Sequence, residues 1–303
     1  MTKGKFLTLN VSGERVETHY HELGPAHAPC VILAQTGGAG TTAHMCWYLN
    51  MEALADAGFR VCAPDFVGYG YTERAAENED RINTTEFLST FMDGQGIDRA
   101  HFVGNSMGSN AATKFAIERP HRVKSLILTG GEPRVDSEKS RAIAKDLGKT
   151  ARTDFVKEML SKPQVTFEDM RQATADFFCD STHSRIDEIT AMRLETLGRP
   201  KIRERAREHA LRQTVRGRSN FQVAELKKLS APTCLIHGRD EKSFYSEAVA
   251  DELRRAAIEA AMVIPNCRLT LLPRCGHWPQ IENAIAFNAL AIQFLKEVDG
   301  ADR

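Results

Sequence analysis

One stretch, Ala100-His101-Phe102-Val103-Gly104-Asn105-Ser106-Met107-Gly108-Ser109, leaves this chain few folds to choose from. An apolar run rich in β-formers ends at Gly104, and Ser106 stands between two glycines. From Met107 onward, Met107, Ala111, Ala112, Phe115 and Ala116 fall on one helical face. The pattern predicts strand, tight turn and helix carrying Gly-x-Ser-x-Gly. A serine on such a turn projects its hydroxyl above the sheet, while a side chain at either glycine collides with a neighbouring strand or helix. The turn also aims the Met107 N–H, at a helix N-terminus, toward the place where an oxyanion forms. A glycine-rich turn holding a surface serine is the competing reading, and the strand-turn-helix context favours the nucleophile.

Bulk composition narrows the class. The 303 residues suffice for a sizeable core, and 42% hydrophobic with 26% charged is ordinary for a globular α/β chain. Forty basic and forty acidic residues cancel, so neither a nucleic-acid footprint nor a polyanionic tail is expected. Met1 to Phe6 is not followed by a long apolar stretch, and no apolar run reaches the roughly 18 residues of a membrane span. A soluble, cytoplasmic chain with no export signal and no membrane partner is the expectation. Seven scattered cysteines without a C-x-x-C pair suit reduced thiols, not a disulfide framework or a zinc site.

Along the chain, Lys5 to Glu22 alternates polar and apolar residues around Ser12-Gly13-Glu14, a hairpin pattern. Cys30 to Ala34 is wholly apolar, as a sheet buried on both faces requires, and it empties into Gln35-Thr36-Gly37-Gly38-Ala39-Gly40-Thr41. Small residues there leave backbone N–H groups open to a ligand, so Gly38 is expected to complete an oxyanion hole with Met107, and Gly37 to border the substrate. A helix over 44–57, the strand Arg60 to Asp65 and loop at Gly68 to Tyr71 and Glu77 to Asp80 follow. Asn83-Thr84-Thr85-Glu86 starts a helix running to about Gly94, and Val123 to Thr129 is another buried strand. Strands and helices alternate, which predicts a mainly parallel, doubly wound sheet with sites beyond the carboxyl ends of its strands.

From Gly131 to Gln222 the alternation stops and apolar residues recur at helical spacing, among them Phe155, Met159, Met170, Phe177, Ile189 and Leu197. A helical cap over residues 133–222 is expected, inserted into a core of 1–132 and 223–303. Eight arginines crowd 193–218, most on a solvated face, with one or two expected to point at an anionic substrate. The sheet resumes at Pro232 to Gly238, then Arg239-Asp240-Glu241, a helix over 246–262, the strand Arg268 to Leu272, Cys275-Gly276-His277-Trp278 and a last helix over 281–298.

Serine, acid and histidine thus occur as Ser106, Asp240 and His277 at the ends of three strands, the order of the α/β-hydrolase fold. A serine hydroxyl needs a base to attack at neutral pH, and His277 supplies it. An acid fixes the imidazole tautomer. Asp240, immediately after Gly-Arg, is favoured over the adjacent Glu241 and over Glu132.

The segments Ile97 to Gly108, with Asn-Ser-Met-Gly, and Cys275-Gly276-His277-Trp278 followed by Gln280-Ile281-Glu282 and Phe287-Asn288, resemble those of the meta-cleavage-product hydrolases. These are carbon–carbon bond hydrolases of the α/β-hydrolase fold, acting in breakdown of aromatic compounds. Two differences stand out: their usual His-Gly-Gly-Gly-Pro-Gly loop reads Gln35-Thr36-Gly37-Gly38-Ala39-Gly40 here, and Gly108-Ser109 replaces Gly-Gly. The resemblance implies a ring-opened vinylogous 1,5-diketone acid as small-molecule substrate, Arg193 holding its anionic end, Phe177 lining the pocket, and Asn105 and Trp278 positioning the dienolate. It also implies a homodimer, with no metal and no organic cofactor. A carboxylesterase or lactonase with the same triad is the rival enzyme; a receptor that keeps the fold without catalysis is the rival from another class.

Overall fold

Three short runs are buried at every residue: β3 (Cys30–Ala34), β6 (Ala100–Asn105) and β10 (Thr233–Gly238). Such strands need cover on both faces. The computed structural model describes residues 4–74, 83–131, 133–147, 151–212, 220–241 and 247–301, and supplies that cover. Glu132, Arg216, Arg218 and the acidic segment 77–80 lie outside the described residues.

The remaining strands are β1 (Lys5–Val11), β2 (Glu14–Leu23), β4 (Arg60–Pro64), β5 (Glu73–Arg74), β7 (Val123–Thr129), β8 (Arg134–Val135), β9 (Asn220–Phe221) and β11 (Cys267–Leu272). The main sheet runs β1-β2-β4-β3-β6-β7-β10-β11, with β5 beside β2. The pairings of β2 with β1, β4 and β5 are antiparallel, and the rest of the main sheet is parallel. Period-2 alternation feeds two cores: Ile32, Phe102, Leu126 and Leu128 enter one, while Val31, Leu33, Val103 and Ile127 enter the other. This is the expected α/β-hydrolase fold.

Helices α1 (Ala43–Trp47) and α2 (Met51–Asp56) link β3 to β4, α3 (Thr84–Gly94) leads into β6, and α4 (Met107–Glu118) joins β6 to β7. The single helix expected over 44–57 is therefore broken. Asn50 sits at the break, its amide donating to Gln280 O at 3.0 Å and Asn288 Oδ1 at 2.7 Å, a tertiary tie that local spacing does not announce. Between β7 and β10 come α5 (Glu138–Leu147), α6 (Ala151–Ser161), α7 (Phe167–Ala175), α8 (Ile186–Leu197), α9 (Pro200–Arg212) and the short α10 (Val223–Leu226). Met159, Leu160, Val165, Met170, Ala173 and Leu197 give this insertion a core of its own. Its first and last strands, β8 and β9, pair in parallel and close it at the base. Helix α11 (Glu247–Val263) joins β10 to β11, and α12 (Pro279–Glu282) and α13 (Ala284–Ala301) end the fold.

Candidate active site

Strand β6 runs into α4 through Ser106 alone, at φ 55° and ψ −110°. A non-glycine residue held there costs on the order of 1–3 kcal/mol, so its surroundings must hold it. The Ser106 N–H donates to Thr129 O at 2.9 Å, and the Ser109 hydroxyl lies 2.7 Å from Gly104 O. A Cβ on Gly104 would stand 2.6 Å from the Gly108 carbonyl carbon, and one on Gly108 would stand 2.1 Å from Ala34 O. Both glycines are therefore required by backbone contact.

His277 follows β11 in a loop whose backbone is tied to the insertion: the His277 N–H donates to Phe177 O at 3.0 Å. His277 Nδ1 lies 2.8 Å from Oε1 of Glu241, and both side chains are 2% exposed. The carboxylate paired with His277 is thus Glu241, one residue beyond the expected Asp240. Asp240 is one-third exposed (33%) and its carboxylate accepts from the Arg274 N–H at 2.6 Å and from the Arg239 guanidinium. The cause is a turn over 238–241, with the Glu241 N–H 3.4 Å from Gly238 O, which sends consecutive side chains to opposite sides. The other oxygen of Glu241 lies 3.6 Å from Nε2 of His237, a buried imidazole on β10 that the sequence reading leaves out. Ser106 and His277 open on one small cavity, together with Glu241 and His237.

In the loop after β3 the glycine beside the nucleophile turn is Gly37. A Cβ there would lie 3.5 Å from Met107 Sδ and 3.4 Å from the Tyr69 hydroxyl, whereas one on Gly38 would lie 3.9 Å from Arg193 Nη2. Gln35, where the resemblance has histidine, is buried and accepts from the Phe66 N–H at 3.1 Å, anchoring the loop to the chain after β4. Tyr69, which the sequence reading assigns only to loop, brings its hydroxyl beside Gly37, and burial pushes its phenol well above the usual range.

The insertion contributes Phe177, whose ring stacks on Trp278 at 4.1 Å and lies 5.5 Å from the His277 ring. Arg193 is 2% exposed; its Nε donates to Ala39 O at 3.0 Å and its Nη1 to Thr174 Oγ1 at 2.8 Å. Its guanidinium stands 5.7 Å from the Phe177 ring centre. Of the other arginines, Arg199 lies over the Tyr71 ring at 4.1 Å and Arg205 donates to Thr72 O. Asn105 is fully buried, with Nδ2 3.1 Å from His277 O and 3.3 Å from Thr129 O, so its amide ties the nucleophile strand to the histidine loop. Trp278 is equally buried, and its indole N–H has no hydrogen-bond partner among the described residues.

Glu282 adds to the seam between the histidine loop and the insertion. Its two oxygens accept the Cys179 and Gly276 N–H groups, each at 2.7 Å. Burial raises its carboxyl to about 7 against the opposing pull of those donors. Among the described residues no three His, Cys, Asp or Glu side chains converge as metal ligands, and no helix is long and apolar enough to cross a membrane.

A family model described as the alpha/beta hydrolase fold matches residues 30–284. Over 295 residues the chain is 28% identical to a 2-hydroxy-6-oxononadienedioate/2-hydroxy-6-oxononatrienedioate hydrolase of Burkholderia vietnamiensis, covering 96% of this chain and 95% of that protein. It is 30% identical over 285 residues to a 2-hydroxy-6-oxo-6-phenylhexa-2,4-dienoate hydrolase of Comamonas testosteroni, covering 92% and 91%. Among solved structures, a meta-cleavage product hydrolase of Pseudomonas fluorescens superposes with a TM-score of 0.75 at 28% identity, covering 96% of this chain and 97% of that one.

Proposed function

Since the chain belongs to the α/β-hydrolase family and, within it, to the meta-cleavage-product hydrolases, we propose that it hydrolyses a carbon–carbon bond in a ring-opened 2-hydroxy-6-oxo dienoic acid. Ser106 is the nucleophile, His277 the base and Glu241 the acid that orients it. The observation that carries this is Ser106 on its strained turn, sharing a cavity with an imidazole whose Nδ1 is 2.8 Å from a buried carboxylate.

The dienol first shifts to its keto form, placing a proton on C5. Ser106 Oγ then adds to the C6 carbonyl as His277 Nε2 takes the hydroxyl proton, and the oxyanion lies against the Met107 N–H and the loop at Gly37 and Gly38. The C5–C6 bond breaks. Its electron pair passes into a dienolate, which takes the proton from His277. Water, deprotonated by His277, cleaves the acyl-serine and frees the second acid. Expulsion of carbon is feasible because the charge spreads to the oxygen at C2, and Arg193 holds the adjacent carboxylate. Phe177 and Trp278 wall the dienolate, and residues 133–222 act as the cap that excludes bulk water.

The relatives share the 2-hydroxy-6-oxo end in their names and differ at the far end, one a dioate and one phenyl-substituted. The test is the colour of the dienone acid. Wild type bleaches it with release of two acids, and Ser106→Ala leaves it coloured. Fast turnover of simple aryl esters with no bleaching of any ring-opened acid would replace this function with an esterase.

A further inference from the structure

A second cavity lies where the loop after β4 meets the first turns of α9, and it shares no lining residue with the cavity at Ser106 and His277. Its volume is about 380 Å³, inside the roughly 300–1,000 Å³ range of small-molecule sites. Three cations from the arginine-crowded stretch line it, Arg199, Lys201 and Arg205, and among the described residues no carboxylate does. The Arg199 guanidinium lies 4.1 Å from the Tyr71 ring centre, and Arg205 donates to Thr72 O at 3.3 Å. None of the three is paired with a carboxylate among the described residues. Like charges around one space repel one another, and an anion seated among them relieves that repulsion.

The core-side wall is set before any ligand arrives. Gly70 has φ 52°, and a Cβ on it would stand 2.1 Å from Asp65 Oδ2. The Tyr71 N–H donates to that same oxygen at 2.9 Å, and the Thr72 hydroxyl to Asp65 O at 2.6 Å. Asp65 is fully buried and also bonded to His19 Nδ1 and the Ala43 N–H, so its charge is held beneath the loop and outside the cavity lining. A wall fixed in this way spares a ligand the cost of ordering it.

Guanidinium groups take a carboxylate through paired N–H donors, and lysine takes it as a point charge. Tyr71, Pro200 and Ile202 add apolar surface to the same space, which an inorganic anion would leave wet. The stacked tyrosine ring and guanidinium present flat faces, which suit a flat body. We propose that this cavity is a second, non-catalytic binding site for an aromatic carboxylate, held by Arg199, Lys201 and Arg205 across the seam between the core and the insertion.

The inference does not depend on which bond the enzyme cleaves, because its test reads binding alone. Radiolabelled benzoate is dialysed to equilibrium against wild type, Lys201→Glu, Lys201→Arg and Arg193→Lys, with inorganic phosphate in parallel. Lys201 is exposed, so its variants should fold, as circular dichroism checks. Wild type should bind benzoate more tightly than phosphate. Lys201→Glu should weaken one class of benzoate sites by about ten- to a hundredfold. Lys201→Arg, which keeps the charge, and Arg193→Lys, altered in the other site, should hold that class within about threefold of wild type. Benzoate binding that is lost in Arg193→Lys and kept in Lys201→Glu would place the ligand beside Ser106 and overturn the proposal. Tighter binding of phosphate, or no binding of benzoate to wild type, would overturn it as well.

Discussion

At the nucleophile turn, backbone holds the key side chain; at the seam with the insertion, other side chains do. Ser106 keeps its strained φ because Gly104, Gly108 and Ala34 approach so closely that no Cβ fits between them. Phe177 and Arg193 keep their places through a stacked indole, a threonine hydroxyl and the Ala39 carbonyl. Backbone contacts of the first kind tolerate almost no change, whereas contacts between side chains can repack at modest cost. The turn should therefore fail abruptly on substitution and the seam by degrees.

The largest effect is expected at the turn. Ser106→Ala should retain the fold and reduce single-turnover bleaching by about 10^4–10^6-fold. Gly108→Val should give little folded protein, because its side chain begins 2.1 Å from Ala34 O. A Gly108→Val variant that folds and bleaches normally would break the contrast at its firmer end. Next comes the choice of acid. Glu241→Gln should lower kcat by about 10^3–10^4-fold, since the amide no longer fixes the imidazole tautomer. Asp240→Asn should stay within about threefold, its carboxylate being bound to the Arg274 N–H and Arg239. The reverse ranking, read from kcat on the same substrate, would return the acid to Asp240.

That pair of carboxylates marks where sequence stops informing. The turn at Ser106 is legible because strand, two glycines and helix are consecutive, and the sheet follows from the apolar runs at Cys30–Ala34, Ala100–Asn105 and Thr233–Gly238. The place immediately after Gly-Arg favours Asp240 over Glu241, but no local signal says which of the two side chains turns inward. Only the turn closing on Gly238 O separates them, and that turn depends on the Cys275-Gly276 backbone packed against Gly238. Gly37 and Gly38 are indistinguishable for the same reason, until Met107 and Arg193 lie beside them. Arg193 is one arginine among many in the sequence. Its burial comes from its contact with Ala39, 154 residues away along the chain.

Glu282 sharpens the comparison, since it belongs to the seam yet binds backbone. Its carboxyl rises from 4.5 to about 7 on burial. The folded state therefore binds more protons than the unfolded one between those values, so this group's contribution to stability is full below 4.5 and is lost as pH rises through about 7. Its size is on the order of 3 kcal/mol. Thermal melts from pH 4.5 to 8 should show wild type losing stability across that window relative to Glu282→Gln, which has no such titration. Parallel curves for the two proteins would remove the titration from the seam.

The smallest effects are expected where Arg193 meets the loop. Arg193→Lys keeps the charge but loses the planar fork that reaches Ala39 O and Thr174 Oγ1 together, so KM for the coloured acid should rise about ten- to a hundredfold with kcat little changed. Gly40→Ala attacks the same contact from the backbone: φ is +73° and the new Cβ would stand 2.3 Å from Arg193 O. If side chains set the position of α8, the helix shifts by about 1 Å, enough to restore ordinary contact with the new Cβ, and Gly40→Ala mimics Arg193→Lys, raising KM. If backbone sets it, Gly40→Ala behaves like Gly108→Val and folded protein is lost. Far-ultraviolet circular dichroism and KM, measured together on these two variants, therefore decide whether the loop at Gly40 belongs with the rigid turn or with the adaptable seam.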